Sequence, residues 1–315
     1  MNLPLLGVIL IYVIFFLCVF VIYYNVRLLV LFHKKTISDD FHLPSSFLDR
    51  PVFRVLFPLL LFSMGITILY GYYVEPFALK IRTVAVDSPK CHFSRPYTVC
   101  LLSDIHLERR KNVLKKVANV VQEERPDVIV FAGDYFNEVT QDTEKKLISF
   151  FKTLEAPDGK WGVLGNWDSL SMIPTLEKGD VTILQNEKAT FSHEENFVTL
   201  HGLDYNSSRG MRKFGSELGR NHFNILLNHT PDMIPEAADE KFDLYLCGHT
   251  HGGQICIPLY GAVITFSKYG KRFESGRYRI GDMTAYVSRG VGLEGGLAPR
   301  VRFCAPPEVV FIEVR

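Results

Sequence analysis

Short apolar runs that end at polar residues recur along most of this chain. Four of them predict buried strands of the parallel type, because they stay apolar without alternation over three to five residues. These runs are Thr98–Leu102, Val128–Phe131, Ile225–Leu227 and Leu244–Cys247. Amphipathic stretches lie around Val113–Gln122 and near Thr143–Leu154, each of which predicts a helix. Strand and helix therefore alternate, as they do in an α/β domain.

The second half of the chain is richer in strands than the first. Its segments are short, apolar and poor in helical periodicity, namely Phe197–Leu203, Phe223–Leu227, Leu244–Cys247, Ala285–Ser288 and Val309–Val314. Alternating elements followed by a strand-rich half predict two packed sheets flanked by helices.

The first 80 residues follow a different pattern. Residues 3–24 carry no charge and could cross ~30 Å of hydrocarbon, and residues 55–73 are also uncharged. We therefore expect a membrane anchor over 1–80, formed by a hairpin of two transmembrane helices, and a catalytic domain over 81–315. A signal peptide is the alternative for the first stretch, which lacks a charged leading region and a small-x-small cleavage site.

Composition and charge narrow the function classes. The hydrophobic fraction of 47% and mean hydropathy of +0.10 are high for a soluble enzyme, and the excess lies at the N-terminus. A net charge of +1 argues against a nucleic-acid partner held by bulk electrostatics. Among the six cysteines, Cys91 and Cys100 could pair in an oxidising compartment, but reduced thiols are favoured.

Five polar signatures follow apolar runs. They are Ser103-Asp104-Ile105-His106, Gly133-Asp134, Gly165-Asn166-Trp167-Asp168, Asn228-His229 and Gly248-His249-Thr250-His251. Their oxygen and imidazole donors, without thiolates, suit manganese, iron or zinc. Because ligand sites collect at the carboxyl ends of strands in open α/β sheets, seven such donors at one rim predict a two-metal centre. Extended backbone would aim Asp104 and His106 to one face, and likewise His249 and His251.

The order of these signatures resembles that of the calcineurin-like metallophosphoesterase superfamily, from Tyr97 to the C-terminus. Residues 248–254 and 286–292 narrow the resemblance to the YaeI-like branch, within which the chain is similar to membrane-linked UDP-2,3-diacylglucosamine pyrophosphatases. The resemblance implies a four-layer αββα sandwich carrying two divalent cations. It assigns Asp104, His106, Asp134 and His251 to one cation and Asp134, Asn166, His229 and His249 to the other. It also implies catalytic roles for Asp134, Asn166 and His249, with Mn²⁺ the expected metal and Fe or Zn as alternatives.

Trp167 departs from the G-N-H-D pattern of most members, in which the histidine assists the leaving group. An indole has no proton to give near pH 7, so its presence favours a phosphate leaving group, as in pyrophosphate cleavage. An inactive relative is the alternative. Asp168, which would orient that histidine, has no assigned role. Trp167, Arg209, Arg212 and Arg220 are candidate substrate contacts, although the arginines could equally be solvated surface charge.

These inferences predict a membrane-anchored, two-metal phosphohydrolase. The expected substrate is UDP-2,3-diacylglucosamine, cleaved to UMP and 2,3-diacylglucosamine 1-phosphate (lipid X) in lipid A biosynthesis. Alternatives are a phosphodiesterase or phosphatase acting on another lipid or cell-envelope substrate, and a non-catalytic metal-binding membrane scaffold. Basic residues between the two spans slightly favour a cytoplasmic connector and a catalytic domain on the far side. The uridine diphosphate group is a cytoplasmic metabolite, which instead favours a cytoplasmic domain at the inner membrane.

Overall fold

The computed structural model describes residues 51–108, 113–205, 207–295 and 300–315. The chain divides into two compact units, Met1–Tyr70 and Gly71–Arg315. In the first, helix α1 (Pro51–Tyr73) begins the described residues and extends into the second. Large apolar side chains of α1 are exposed, among them Leu59, Leu60, Phe62, Ile66, Ile68 and Leu69.

The predicted hairpin anchor falls mostly beyond the described residues. Its first span, 3–24, lies outside them, and its second, 55–73, falls within α1. Among the residues described, none belongs to a helix long and apolar enough to cross a membrane. The anchor therefore stays a prediction.

The second unit alternates strands with short helices. Its helices are α2 (Leu114–Glu124), α3 (Gln141–Lys152), α4 (Ile173–Glu177), α5 (Ser208–Ser216) and α6 (Ile234–Asp239). Its strands are β1 (Lys80–Val86), β2 (Tyr97–Leu102), β3 (Val128–Phe131), β4 (Lys160–Gly162), β5 (Thr182–Ile183), β6 (Glu187–His193), β7 (Asn196–Gly202), β8 (His222–Leu227), β9 (Leu244–Cys247), β10 (Cys256–Ile257), β11 (Gly261–Ala262), β12 (Gly276–Ile280), β13 (Met283–Val287) and β14 (Glu308–Val314).

Twelve of these strands form two mixed six-stranded sheets, and β10 pairs with β11. The first sheet has the order β1-β14-β2-β3-β4-β5, and the second has the order β12-β13-β9-β8-β7-β6. The central pairs β2–β3 and β8–β9 are parallel, as their unbroken apolar runs predict. Their carboxyl ends therefore lie at one edge of each sheet.

Three apolar cores order the elements into four layers. One core joins the inner faces of the sheets, for example Val130 of β3 and Ile225 of β8. A second joins α2 and α3 to the outer face of the first sheet. The third joins α5 and α6 to the outer face of the second sheet. Mixed α/β sheets of the predicted class are confirmed, and the layers follow the expected αββα order.

The pattern of buried positions explains why the helices form where they do. In α2, Leu114, Val117, Ala118 and Val121 recur at helical spacing and are all buried. The N-terminus of α3 is a capping box. The side chain of Thr140 accepts from the backbone amide of Thr143, and the side chain of Thr143 accepts from the backbone amide of Thr140. Cys91 and Cys100 are free buried thiols, not a disulfide.

Candidate metal centre

The metal-site candidates lie in loops that follow the central strands of both sheets. Asp104 and His106 come after β2, Asp134 after β3, Asn166 after β4, His229 after β8, and His249 and His251 after β9. The predicted convergence of these loops is therefore present. Every candidate ligand except Asn166 and His249 is buried, and His249 is half-buried.

The side chains form two groups whose potential ligand atoms lie within 4.8 Å of one another. One group is Asp104, His106 and His251, and the other is Asp134, His229 and His249. The Nε2 atoms of His106 and His251 are 3.1 Å apart. In the second group His249 Nδ1 and His229 Nε2 are also 3.1 Å apart. Asn166 Oδ1 joins this second group, 2.8 Å from His229 Nε2.

Asp134 lies between the two groups. Its Oδ2 atom is 3.5 Å from Nε2 of His106 and 3.3 Å from Nε2 of His229. One carboxylate can therefore reach both cation positions, as a ligand shared by two cations must.

The backbone that carries these ligands is not extended, so that part of the sequence-based argument is wrong. Asp104 and His106 have φ of 50° and 43°, and His249 and His251 have φ of 72° and 51°. These values belong to the left-handed region, which costs a non-glycine residue on the order of 1 kcal/mol or more. Hydrogen bonds offset the cost, since the amides of Asp104 and His106 donate to the carbonyls of Gly133 and Asp134 at 2.9 Å.

Two glycines of the signatures are required by close approach to the ligands. A Cβ on Gly248 would collide with Oδ2 of Asp104, and one on Gly165 would collide with Oδ1 of Asp134. Both carboxylates are thus packed directly against neighbouring backbone. Their orientation is fixed before any ligand binds.

Burial keeps most of the imidazoles neutral, the form that binds metals. It lowers the pKa of His106 and His249 to about 4 and that of His251 well below its ordinary value. For His229 burial acts in the same direction, but Asp134 outweighs it and raises the pKa. Without a metal, a proton on His229 therefore balances the Asp134 charge.

The pKa of the Asp104 carboxyl is shifted in the opposite direction. Burial, reinforced by Asp134, raises the pKa of Asp104 to about 7. Asp104 and Asp134 repel each other when both are ionised, and the imidazole nitrogens that face each other about 3 Å apart repel through their lone pairs. A positive charge between these groups relieves both repulsions. This donor set fits two divalent cations of the borderline type, the first held by Asp104, His106, His251 and Asp134, the second by Asp134, Asn166, His229 and His249.

Comparison with known proteins agrees with this geometry. The family model for calcineurin-like phosphoesterases matches residues 97–253. An uncharacterized metallophosphoesterase of Bacillus subtilis, YkuE, is 32% identical over 261 residues, covering 78% of this chain and 90% of that protein. The chain belongs to the calcineurin-like metallophosphoesterase family.

Two further members of the family indicate the range of activities among its relatives. Phosphodiesterase YaeI of Escherichia coli is 29% identical, with 78% of this chain and 92% of that protein covered. The UDP-2,3-diacylglucosamine pyrophosphatase LpxG of Chlamydia trachomatis is 24% identical over the same shares of the two chains.

Asp168 acquires a structural role in this metallophosphoesterase. Its carboxylate accepts hydrogen bonds from the amides of Asp134 at 2.7 Å, Tyr135 at 3.0 Å and Gly165 at 2.8 Å. It thereby ties the loop after β3 to the loop after β4. Burial, together with the Asp134 charge, raises the pKa of Asp168 to about 6 despite these three donors.

Trp167 lies at the metal centre, where most family members have histidine. Its backbone amide donates to Oδ1 of Asp134 at 2.9 Å. Its ring meets the ring of His106 edge to face, with centroids 5.9 Å apart. The indole is therefore beside one cation position and half-exposed.

The three arginines predicted to contact substrate are all exposed. Arg209 and Arg212 are exposed on α5, and Arg220 is exposed in the loop after it. No hydrogen bond or ion pair described for 207–295 joins them to a metal ligand. Their role stays a prediction.

Three residues near the centre were missed by sequence reasoning. Arg302 is fully buried, with Nη2 3.5 Å from Nδ1 of His251. Tyr205 packs against His229 and His249. Burial, reinforced by Asp104 and Asp134, raises the pKa of Glu294 to about 7. None belongs to a local signature, because the fold brings each of them from a distant loop.

Proposed function

We propose that this protein hydrolyses the diphosphate of a membrane-embedded nucleotide sugar, with UDP-2,3-diacylglucosamine as the substrate. The reaction would add water across one P–O–P bond and release UMP and 2,3-diacylglucosamine 1-phosphate, both as dianions, and two protons. The observation that carries the proposal is the pair of ligand groups joined by Asp134. The relationship to LpxG supports this substrate at 24–25% identity.

The residues of the centre have separable tasks in this proposal. When bound, two divalent cations neutralise phosphoryl charge and lower the pKa of a nucleophilic water molecule. Asp134 spaces the two cation positions, and Asp168 holds the Asp134 loop through its amide. His229 is fixed by its Nδ1, 2.7 Å from the carbonyl of Ala132, so Nε2 is directed to the cation.

The identity of residue 167 favours an anhydride over an alkyl ester. General acid catalysis contributes roughly 10²–10⁴-fold where the leaving group is basic. An indole cannot supply that proton, but a phosphate leaving group needs none in the transition state. The departure from histidine is therefore least costly for pyrophosphate cleavage.

A membrane anchor at the N-terminus would bring the centre to a two-acyl substrate. Support comes from the uncharged stretches 3–24 and 55–73 and from the exposed apolar side chains of α1. Because the uridine diphosphate group is made in the cytoplasm, we place the catalytic domain on the cytoplasmic side of the inner membrane.

A phosphodiesterase acting on another lipid or envelope substrate is the second candidate. The relationship to YaeI, a phosphodiesterase at 29% identity, favours it. Assay of the purified full-length protein with UDP-2,3-diacylglucosamine in ¹⁸O water distinguishes the two. The proposal expects metal-dependent release of UMP with label in a single product. Turnover of lipid phosphodiesters without cleavage of the UDP-sugar would contradict it in favour of the second candidate.

A further inference from the structure

Two half-exposed aromatic side chains flank the metal centre. Trp167 is 37% exposed and meets His106, a candidate ligand of the first group. Tyr205 is 38% exposed, with its ring centroid 5.9 Å from that of His229 and 6.3 Å from that of His249. Each end of the centre therefore has one accessible ring beside it.

The local backbone fixes the position of both rings. The amide of Trp167 donates to Asp134, the carboxylate shared by the two groups. The turn that leads to Tyr205 is held by Asn228, whose side-chain amide donates to the carbonyl of Leu203 at 2.9 Å. Since Asn228 precedes His229, each ring is attached to the loop that supplies a candidate ligand.

Neither ring is needed for the cores of the fold. Trp167 and Tyr205 are absent from the three apolar clusters of the described residues. Within those residues, no hydrogen bond is described for the indole N–H or the phenol hydroxyl. Both side chains thus keep aromatic area accessible beside the centre, where it could receive a ligand.

We propose that Trp167 and Tyr205 form two subsites that receive the organic groups on either side of the reacting phosphate. This inference rests on the proposed function in so far as the centre binds a phosphoryl group. A diester of phosphate or diphosphate has an organic group at each end and covers both rings. A monoester has one organic group and covers one ring. The paired rings therefore make the centre selective for diesters.

The chain offers a matched control at the other end of the strand before Tyr205. Phe197 is the second residue of β7, is 43% exposed, and stacks on His222 with centroids 5.0 Å apart. His222 is not a candidate ligand. Phe197→Ala therefore removes an equally exposed ring that covers a histidine unrelated to the centre.

Steady-state kinetics of full-length, metal-loaded protein test the subsites. The substrates are bis(p-nitrophenyl) phosphate and p-nitrophenyl phosphate. Trp167→Ala and Tyr205→Ala should each raise KM for the diester about threefold to tenfold, the loss of one aromatic contact. KM for the monoester should change less in at least one of the two variants. Phe197→Ala should leave KM for both substrates unchanged. Tyr205→Phe keeps the ring and removes the hydroxyl, so it distinguishes the contributions of the two to KM.

Metal content and ligand binding keep the test independent of turnover. Elemental analysis should find the same metal content in every variant, which excludes damage to the centre. Calorimetric titration with diphenyl phosphate and phenyl phosphate should show that Trp167→Ala and Tyr205→Ala weaken binding of the diester more than binding of the monoester. Equal weakening of both ligands, or no weakening in either variant, would overturn the subsites. Selective weakening in a protein without turnover would keep the subsites and refute the proposed function.

Discussion

At the scale of single residues, the centre depends on carboxylates whose oxygens are held by several contacts each. Asp134 is contacted by the Trp167 amide on one oxygen and lies within 3.5 Å of two imidazole nitrogens on the other. Asp104 accepts from the His249 amide at 3.0 and 3.1 Å. Each of these two carboxylates thus also positions another part of the site.

Removal of the shared carboxylate should therefore abolish activity. We expect Asp134→Ala to lower kcat by at least about 10³-fold, because both cation positions lose a ligand. The negative charge between His106 and His229 is also lost. Hydrolysis of bis(p-nitrophenyl) phosphate measures the loss. Asp282→Ala, in the exposed turn between β12 and β13, is the control. Retention of full activity in Asp134→Ala would show that the carboxylate is not shared.

The identity of residue 167 should determine which leaving groups are accepted. Trp167→His restores a titrating group and should raise turnover of alkyl phosphodiesters about tenfold or more. Turnover of a diphosphate should change little or fall. Rates for a series of leaving groups of increasing pKa measure the effect. An equal change across the series would mean that the residue acts only through packing.

At the scale of elements, Arg302 ties together separate segments of the connection between β13 and β14. Its guanidinium donates to the carbonyls of Arg289 at 2.8 Å, Gly292 at 2.5 Å and Ala305 at 2.7 Å. These carbonyls belong to the segments on both sides of residues 296–299. Arg302 thereby holds the loop that carries Arg289 and Gly292, and its guanidinium lies next to His251.

Arg302→Lys should destabilise the fold, because a lysine keeps the charge but cannot reach several carbonyls at once. Leaving buried acceptors unpaired costs about 2–4 kcal/mol here. The thermal unfolding midpoint should fall by about 5–10 °C, measured by calorimetry of metal-loaded protein. Arg277→Lys, exposed in β12, provides the comparison. A midpoint within 1 °C or so of wild type would contradict this role for Arg302.

Central and edge strands differ in how clearly the sequence predicts them. Central strands such as β3 and β9 are buried on both faces, so their apolar runs identify them directly. The edge strands β1, β6 and β12 were missed, because edge positions carry polar residues that hide the strand pattern.

At the site, the chemistry of the ligands and their convergence at one rim were predicted from the sequence, but their backbone conformation and their surroundings were not. Asp104 and His249 occupy left-handed turns that no propensity predicts. Tyr205 and Arg302 reach the centre only through long-range folding. Local pattern therefore identifies donors, whereas the groups around them depend on the topology of both sheets.

At the scale of the whole molecule, the N-terminal region has contacts that determine where the catalytic unit begins. The carbonyl of Gly71 accepts from the Arg302 amide at 2.9 Å. The buried carboxylate of Glu75 accepts from the Ala305 amide at 2.6 Å. The catalytic unit therefore needs residues before 81, where the sequence places its start.

A chain that begins at Gly71 should fold and hydrolyse soluble diesters, whereas one that begins at Ile81 should be less stable. We expect the shorter chain to lose about 2–4 kcal/mol of unfolding free energy, because Ala305 and Arg302 lose buried partners. Denaturant unfolding of both chains measures the difference. On vesicle-embedded substrate, the chain beginning at Gly71 should be slower than the full-length protein. Equal rates would refute a role of the N-terminal region in access to lipid.

The proposed mechanism is hydrolysis by two cations bound to the seven candidate ligand side chains. Its most direct test is the metal content of the full-length protein, measured together with turnover as metal is removed and restored. We expect about two divalent ions per chain, loss of turnover in chelator, and recovery with added Mn²⁺. We also expect the chelated protein to unfold several degrees lower, since ions bound only to the folded state stabilise it. Full turnover in metal-free protein would contradict the two-metal mechanism.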